Sequence, residues 1–115
     1  MISTFVHGVI DYLFAVMLIA SPWIFGFREA NAQTYVADII AVIVIAYGLL
    51  TRYELGIVKL IPFRMHLIFD IIVNLILLCS PWLFGFSNLV HLPHVILGLT
   101  GLLVVALTKK IIDKS

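Results

Sequence analysis

Long apolar runs with almost no charge set the first limit on what this chain can become. Between Phe5 and Phe25 the only Asp, Glu, Lys or Arg is Asp11, and between Tyr35 and Leu50 it is Asp38. Phe63–Phe84 holds Arg64 and Asp70, and Pro93–Thr108 holds none. A hydrocarbon layer about 30 Å thick is crossed by roughly 17–25 such residues in a helix. A soluble domain of 115 residues has too little interior to hide a composition that is 63% hydrophobic and 11% charged. The four runs therefore predict four transmembrane helices. The second and fourth are short and should tilt little or draw on their flanks. Only helices and closed barrels satisfy every backbone group in lipid, and these runs lack the alternation of barrel strands. A cleaved leader is the competing reading of the first run. No Lys or Arg precedes its apolar part, Asp11 interrupts it, and the same pattern returns in mid-chain, so it is expected to be a retained helix.

The pattern that returns is an internal duplication. Ser21–Phe27 is SPWIFGF and Ser80–Phe86 is SPWLFGF; His7–Asp11 (HGVID) matches His66–Asp70 (HLIFD) at the same distance from the motif. The second helices match more loosely, GLLTR ending at Arg52 against VALTK ending at Lys109. The expected architecture is an all-α, four-helix transmembrane bundle, one domain over residues 1–115. It would be built from two parallel two-helix repeats at about 1–57 and 58–115. Two spans per unit give both units the same orientation, related by an axis along the membrane normal. Arg52, Lys59, Arg64, Lys109, Lys110 and Lys114 gather at one end, against Arg28 alone at the other. By the positive-inside rule both termini face the cytoplasm of a prokaryotic plasma membrane.

Each residue of the repeated motif has a physical task in stopping a membrane helix. Pro22 and Pro81 disturb the last turn, and the hydroxyls of Ser21 and Ser80 can return a bond to a nearby carbonyl. Trp23 and Trp82 suit the outer interface, where the ring sits in apolar surroundings and its N–H in wet ones. Gly26 and Gly85 suit the left-handed position that ends a helix, with Phe27 and Phe86 folding back onto the last turn. A ligand groove lined by these aromatics is the functional alternative, and anchoring is the simpler account. The doubled motif, late in the first helix of each two-helix unit, resembles the SPW-repeat family of small prokaryotic membrane proteins over nearly the whole chain. The resemblance implies a four-helix integral membrane protein and carries no catalytic residues to these positions.

The ionisable residues inside the spans are the candidate site. His7 and Asp11 share a helix face, as do His66 and Asp70, and Asn74 continues the second face. If spans one and three meet, two imidazoles and two carboxylates converge; that donor set suits Zn, Mn or Fe, or a proton relay. The bland alternative is that each pair satisfies itself within its own helix and glues neighbours together. Spacing alone favours that structural pairing. Asp38, His91 and His94 are expected at headgroup level, with Pro93 opening span four. Gly98, Gly101, Ala37 and Ala41 permit close helix approach, within the chain or in a homo-oligomer. YELGIVKLIP, at Tyr53–Pro62, is too short and too charged to span and should lie along the interface as a stiff joint.

Other chemistries find little support. Cys79 is the only cysteine, so no internal disulfide can form. A net charge of +1 with no dense basic run gives no footprint for nucleic acid. The sequence has no dense metal motif, phosphate-cradling loop or nucleophile elbow, which points away from an enzyme. Axial haem ligation by His7, His66, His91 or His94 is permitted but nothing demands it, so no cofactor is expected. The lipid bilayer is the expected partner, and a non-enzymatic structural or interaction role the expected function. The alternative is a small proton or divalent-metal transporter or channel subunit working through the His/Asp cluster.

Overall fold

The computed structural model describes residues 2–27 and 31–113, the side chains of 109–113 excepted. Arg28 and Lys114, and the side chains of Lys109 and Lys110, thus lie outside the described residues. Four helices follow one another: α1 (Thr4–Ile24), α2 (Ala32–Leu49), α3 (Phe63–Leu83) and α4 (Leu92–Asp113). Three of them are long and apolar enough to cross a membrane, while the apolar part of α4, Leu92–Thr108, is shorter. At the helical rise of about 1.5 Å per residue, α1 and α3 are each about 31 Å long, matching a bilayer core.

The helix ends follow from local chemistry. Ser3 caps α1, its hydroxyl accepting from the Val6 amide at 3.2 Å. Gly26 and Gly85 end α1 and α3 with φ of +73° and +76°, the left-handed conformation that a side chain resists. Ser21 and Ser80 donate to the Leu18 and Leu77 carbonyls, both at 2.7 Å, inside the turn that each proline loosens. Two bounds differ from expectation. α2 starts at Ala32 rather than Tyr35, because Asn31 takes the capping position and Thr34 bonds the Phe27 carbonyl at 2.9 Å. α4 runs past Thr108 to Asp113, since a helix needs no apolar residues once it leaves the lipid-facing stretch.

α1 packs closely on α2, and α3 on α4. The core joins Ala15 and Leu18 of α1, Ala37, Ala41 and Val44 of α2, and Val73 and Leu77 of α3. Large apolar side chains such as Leu13, Val16, Val42, Leu83 and Leu103 point outward, as lipid-facing residues do. Small residues set the spacing within the chain. Ala37 and Ala41 are fully buried, and a Cβ on Gly98 would stand 2.9 Å from the Asn74 carbonyl oxygen. The joint between α2 and α3 turns back on itself. Arg52 N donates to the Ile61 carbonyl at 2.8 Å and Ile57 N to the Leu49 carbonyl at 2.7 Å. Ile57, Val58 and Leu60 are exposed, whereas Tyr53 turns inward and is buried.

Candidate intramembrane His–Asp centre

His7 is the fourth residue of α1 and His66 the fourth of α3, each with its aspartate one turn further on. The structure brings all four together near the end of the bundle where α1 and α3 begin. His7 and His66 are fully buried, Asp70 is 3% exposed and Asp11 9%. The pairs within each helix are in contact, and shorter contacts run between the helices. His7 Nε2 lies 2.7 Å from Asp70 Oδ2 and His66 Nε2 lies 2.7 Å from Asp11 Oδ2, across the bundle. The contacts within each helix are longer, 3.1 Å for His7–Asp11 and 3.3 Å for His66–Asp70. At four residues' spacing two side chains stand side by side on the helix, and each points its ring more directly at the facing helix than at its neighbour.

Residues that the spacing did not single out hold this centre in place. His66 Nδ1 lies 2.8 Å from Thr51 Oγ1, and His7 Nδ1 lies 2.9 Å from Thr108 Oγ1. Each hydroxyl donates its one proton to a carbonyl of its own helix, Thr51 to Tyr47 at 2.6 Å and Thr108 to Val104 at 2.7 Å. Each must therefore accept from the imidazole, so Nδ1 carries a hydrogen in both rings. The Tyr47 hydroxyl donates to the second oxygen of Asp70. Thr51 and Thr108 occupy equivalent places in GLLTR and VALTK, a signal visible in the sequence.

Aromatic rings close the centre towards the helix ends. Phe63 stacks on His66 with centroids 5.3 Å apart, and Tyr53 lies 5.5 Å from both Phe63 and His66. Tyr53 reaches this position because Gly8 leaves room: a Cβ there would stand 2.5 Å from the ring. The Tyr12 hydroxyl pins the same loop through the Leu55 carbonyl at 3.0 Å. Burial pushes the Tyr53 phenol well above the ordinary tyrosine range.

Asn74 stands one turn beyond Asp70. It is 4% exposed, donates from Nδ2 to the Asp70 carbonyl at 2.7 Å, and leaves Oδ1 without a partner. It borders a small chamber of about 10 Å³ shared with Asp11, Asp70, Thr100 and Gly101.

The motif end differs from expectation at one residue. Trp23 and Trp82 are exposed, as anchors would be, and Pro22 and Pro81 are buried. His94, expected at headgroup level, is 1% exposed. Phe27 and Phe86 close around it with centroids 5.1 Å and 4.8 Å away, and its Nε2 donates to the Gln33 carbonyl at 3.0 Å. The last residues of both motifs thus pack on α4 as well as ending their own helices. His91 stays exposed, 6.1 Å from the Trp82 ring. Asp38 is half-buried in the second turn of α2.

The SPW repeat domain, as a family, matches residues 5–108 of this chain. None of the curated proteins and none of the solved structures is significantly similar to it.

Proposed function

Because the chain belongs to the SPW repeat family and its apolar helices make it a multi-pass membrane protein, we propose that it is a small, non-enzymatic cation-handling protein, a transporter or channel subunit working through the His–Asp centre. The observation that carries this reading is the convergence of His7, Asp11, His66 and Asp70, from two helices, at a site at most 9% exposed. Ionisable groups in such surroundings are costly, by about 2.5–3.5 kcal/mol for a charge at mid-bilayer, and mark ion pathways. The two units act as parallel repeats about an axis along the membrane normal. The matched bonds His7–Asp70 with His66–Asp11, and His7–Thr108 with His66–Thr51, support that arrangement. Arg52, Lys59 and Arg64 sit at the centre's end of the bundle, which supports a cytoplasmic placement of that end in a prokaryotic plasma membrane.

A purely cohesive role is the second reading, favoured by the fact that all four ring nitrogens already have a partner. Flux separates the two. The full chain is reconstituted in liposomes loaded with pH- and divalent-sensitive dyes. Cation entry above that of empty vesicles, lost in Asp70→Asn with helix content unchanged by circular dichroism, is the expected result. Entry no faster than in empty vesicles, or unaffected by Asp70→Asn, refutes the cation-handling reading.

A further inference from the structure

The four inward-facing atoms of the centre form a closed ring of alternating nitrogen and oxygen. Its edges are His7 Nε2–Asp11 Oδ2 at 3.1 Å, Asp11 Oδ2–His66 Nε2 at 2.7 Å, His66 Nε2–Asp70 Oδ2 at 3.3 Å and Asp70 Oδ2–His7 Nε2 at 2.7 Å. One ligand atom from each residue lies within 4.8 Å of the other three. Ligand atoms about 2.0–2.2 Å from one tetrahedral ion are separated by roughly 3.3–3.6 Å. One edge is at that spacing, one is close to it, and the remaining two need to open by about 0.6–0.9 Å.

The hydroxyl bonds decide which ring nitrogen can act as a ligand. Thr51 and Thr108 spend their protons on carbonyls, so Nδ1–H is fixed in both imidazoles. In a neutral ring the lone pair then sits on Nε2, the atom that faces the centre. A metal-bound histidine has this arrangement, its other N–H donated to an oxygen that sets the ring's orientation. Tyr47 does the same for Asp70, occupying Oδ1 and leaving Oδ2 turned inward.

We propose that His7 Nε2, His66 Nε2, Asp11 Oδ2 and Asp70 Oδ2 bind one divalent transition metal ion, of the zinc, manganese or ferrous class that mixed imidazole–carboxylate sets suit. This rests on the centre being the working site, and names the cation it takes. Charge balance favours a divalent ion. Without metal, two lone pairs fixed on Nε2 face two carboxylates, and two protons shared among the four groups make the ring neutral. A divalent ion that enters as those two protons leave keeps the net charge at zero, which a low-dielectric surrounding requires. A monovalent ion would leave one proton behind; a trivalent ion would leave a charge uncompensated.

An independent observation points to a ligand on the same side. Asn74 Oδ1 is buried without a partner, and Asn74 lines a chamber of about 10 Å³ together with Asp11 and Asp70. That is close to the least space that holds one water molecule. The pocket offers a metal-bound water a hydrogen-bond acceptor in the Asn74 carboxamide. Asp11 and Asp70 both line this chamber; Tyr47 occupies Asp70 Oδ1, whereas Val104, which also lines the chamber, brings no hydroxyl to Asp11.

The test uses the full chain in mild detergent, incubated with Zn²⁺ or Co²⁺ and separated from free ion. Metal is counted by mass spectrometry, cobalt geometry is read from visible absorption, and released protons are titrated. One ion per chain, about two protons released per ion, and loss of binding in His66→Ala and Asp70→Asn are expected. Should those variants fail to fold, Thr108→Val keeps the ligands and removes the bond to His7 together with the hydroxyl's bond to the Val104 carbonyl, and should weaken binding about 10–100-fold. A folded wild-type chain that binds no Zn²⁺ or Co²⁺ overturns the proposal, as does metal bound equally by Asp70→Asn or Thr108→Val. Flux lost in Asp70→Asn without metal binding would refute the metal and leave the cation-handling centre standing. Stoichiometric metal without flux would do the reverse.

Discussion

Replacing Gly101 with alanine should destabilise the protein, against the usual direction. Alanine is favoured over glycine inside a helix by about 1 kcal/mol. Here a Cβ would drive into the Asn74 carboxamide, meeting its Oδ1, Cγ and Nδ2 inside van der Waals contact. Asn74 cannot withdraw easily. Its Nδ2 is held at 2.7 Å by the Asp70 carbonyl, and the α3 backbone is pressed against Gly98. Overpacking costs about 1–3 kcal/mol, and losing the amide bond about 1 kcal/mol more. Set against the helix preference, the net loss is about 1–3 kcal/mol. In an Asn74→Ala background the obstacle is gone, and Gly101→Ala should become neutral or stabilising, a coupling of about 2 kcal/mol. The first repeat already shows the reciprocal solution, with Ala15 on α1 and Val44 on α2 at the equivalent places. The assay is unfolding of the full chain by titrating a denaturing detergent into mixed micelles, followed by circular dichroism. An equal effect of Gly101→Ala with and without the asparagine would refute the packing argument.

Two further outcomes follow from burial. Phe86→Ala should cost about 3–5 kcal/mol in the same assay, because a core aromatic packed on His94 is lost, while exposed Trp82→Ala should change stability by about 0.5 kcal/mol or less. Because the Tyr53 phenol is raised in the folded chain, the folded state binds the proton more tightly, and stability should fall as pH rises above the ordinary tyrosine value of about 10. Tyr53→Phe should reduce that alkaline dependence in a pH-resolved melt; an unchanged dependence would contradict the buried placement.

The spans were legible because apolar length is a local property, and α1 and α3 lie within a residue of their expected bounds. The helix-ending segments Ser21–Phe27 and Ser80–Phe86 were legible for the same reason, since the positive φ of Gly26 and Gly85 and a proline-loosened turn belong to neighbouring residues. The histidines and aspartates could be picked out by their spacing, but not paired. Which imidazole meets which carboxylate depends on how α1 faces α3, and side chains one turn apart give no information about that. Thr51, Thr108 and Tyr47 escaped notice because a hydroxyl near a helix end has many ordinary uses; the matched places of Thr51 and Thr108 in the two units could have marked those two, and nothing marked Tyr47. His94 was misjudged because a histidine beside the first-turn proline of a span looks interfacial, and the rings that bury it, Phe27 and Phe86, come from the segments that follow α1 and α3.

The crossed pairing also fixes a stoichiometry. Neither half of the chain can close its own centre, since each imidazole makes its shortest bond to a carboxylate of the other half. A lone hairpin would need a second hairpin to supply the partner carboxylate and imidazole. Joining the two in one chain turns that encounter into an intramolecular one, with an effective concentration in the millimolar range for a short linker. It also guarantees one of each half per centre, however scarce the protein is in its membrane. The joint from Thr51 to Ile61 therefore acts as a tether that sets copy number as well as carrying Tyr53 onto His66.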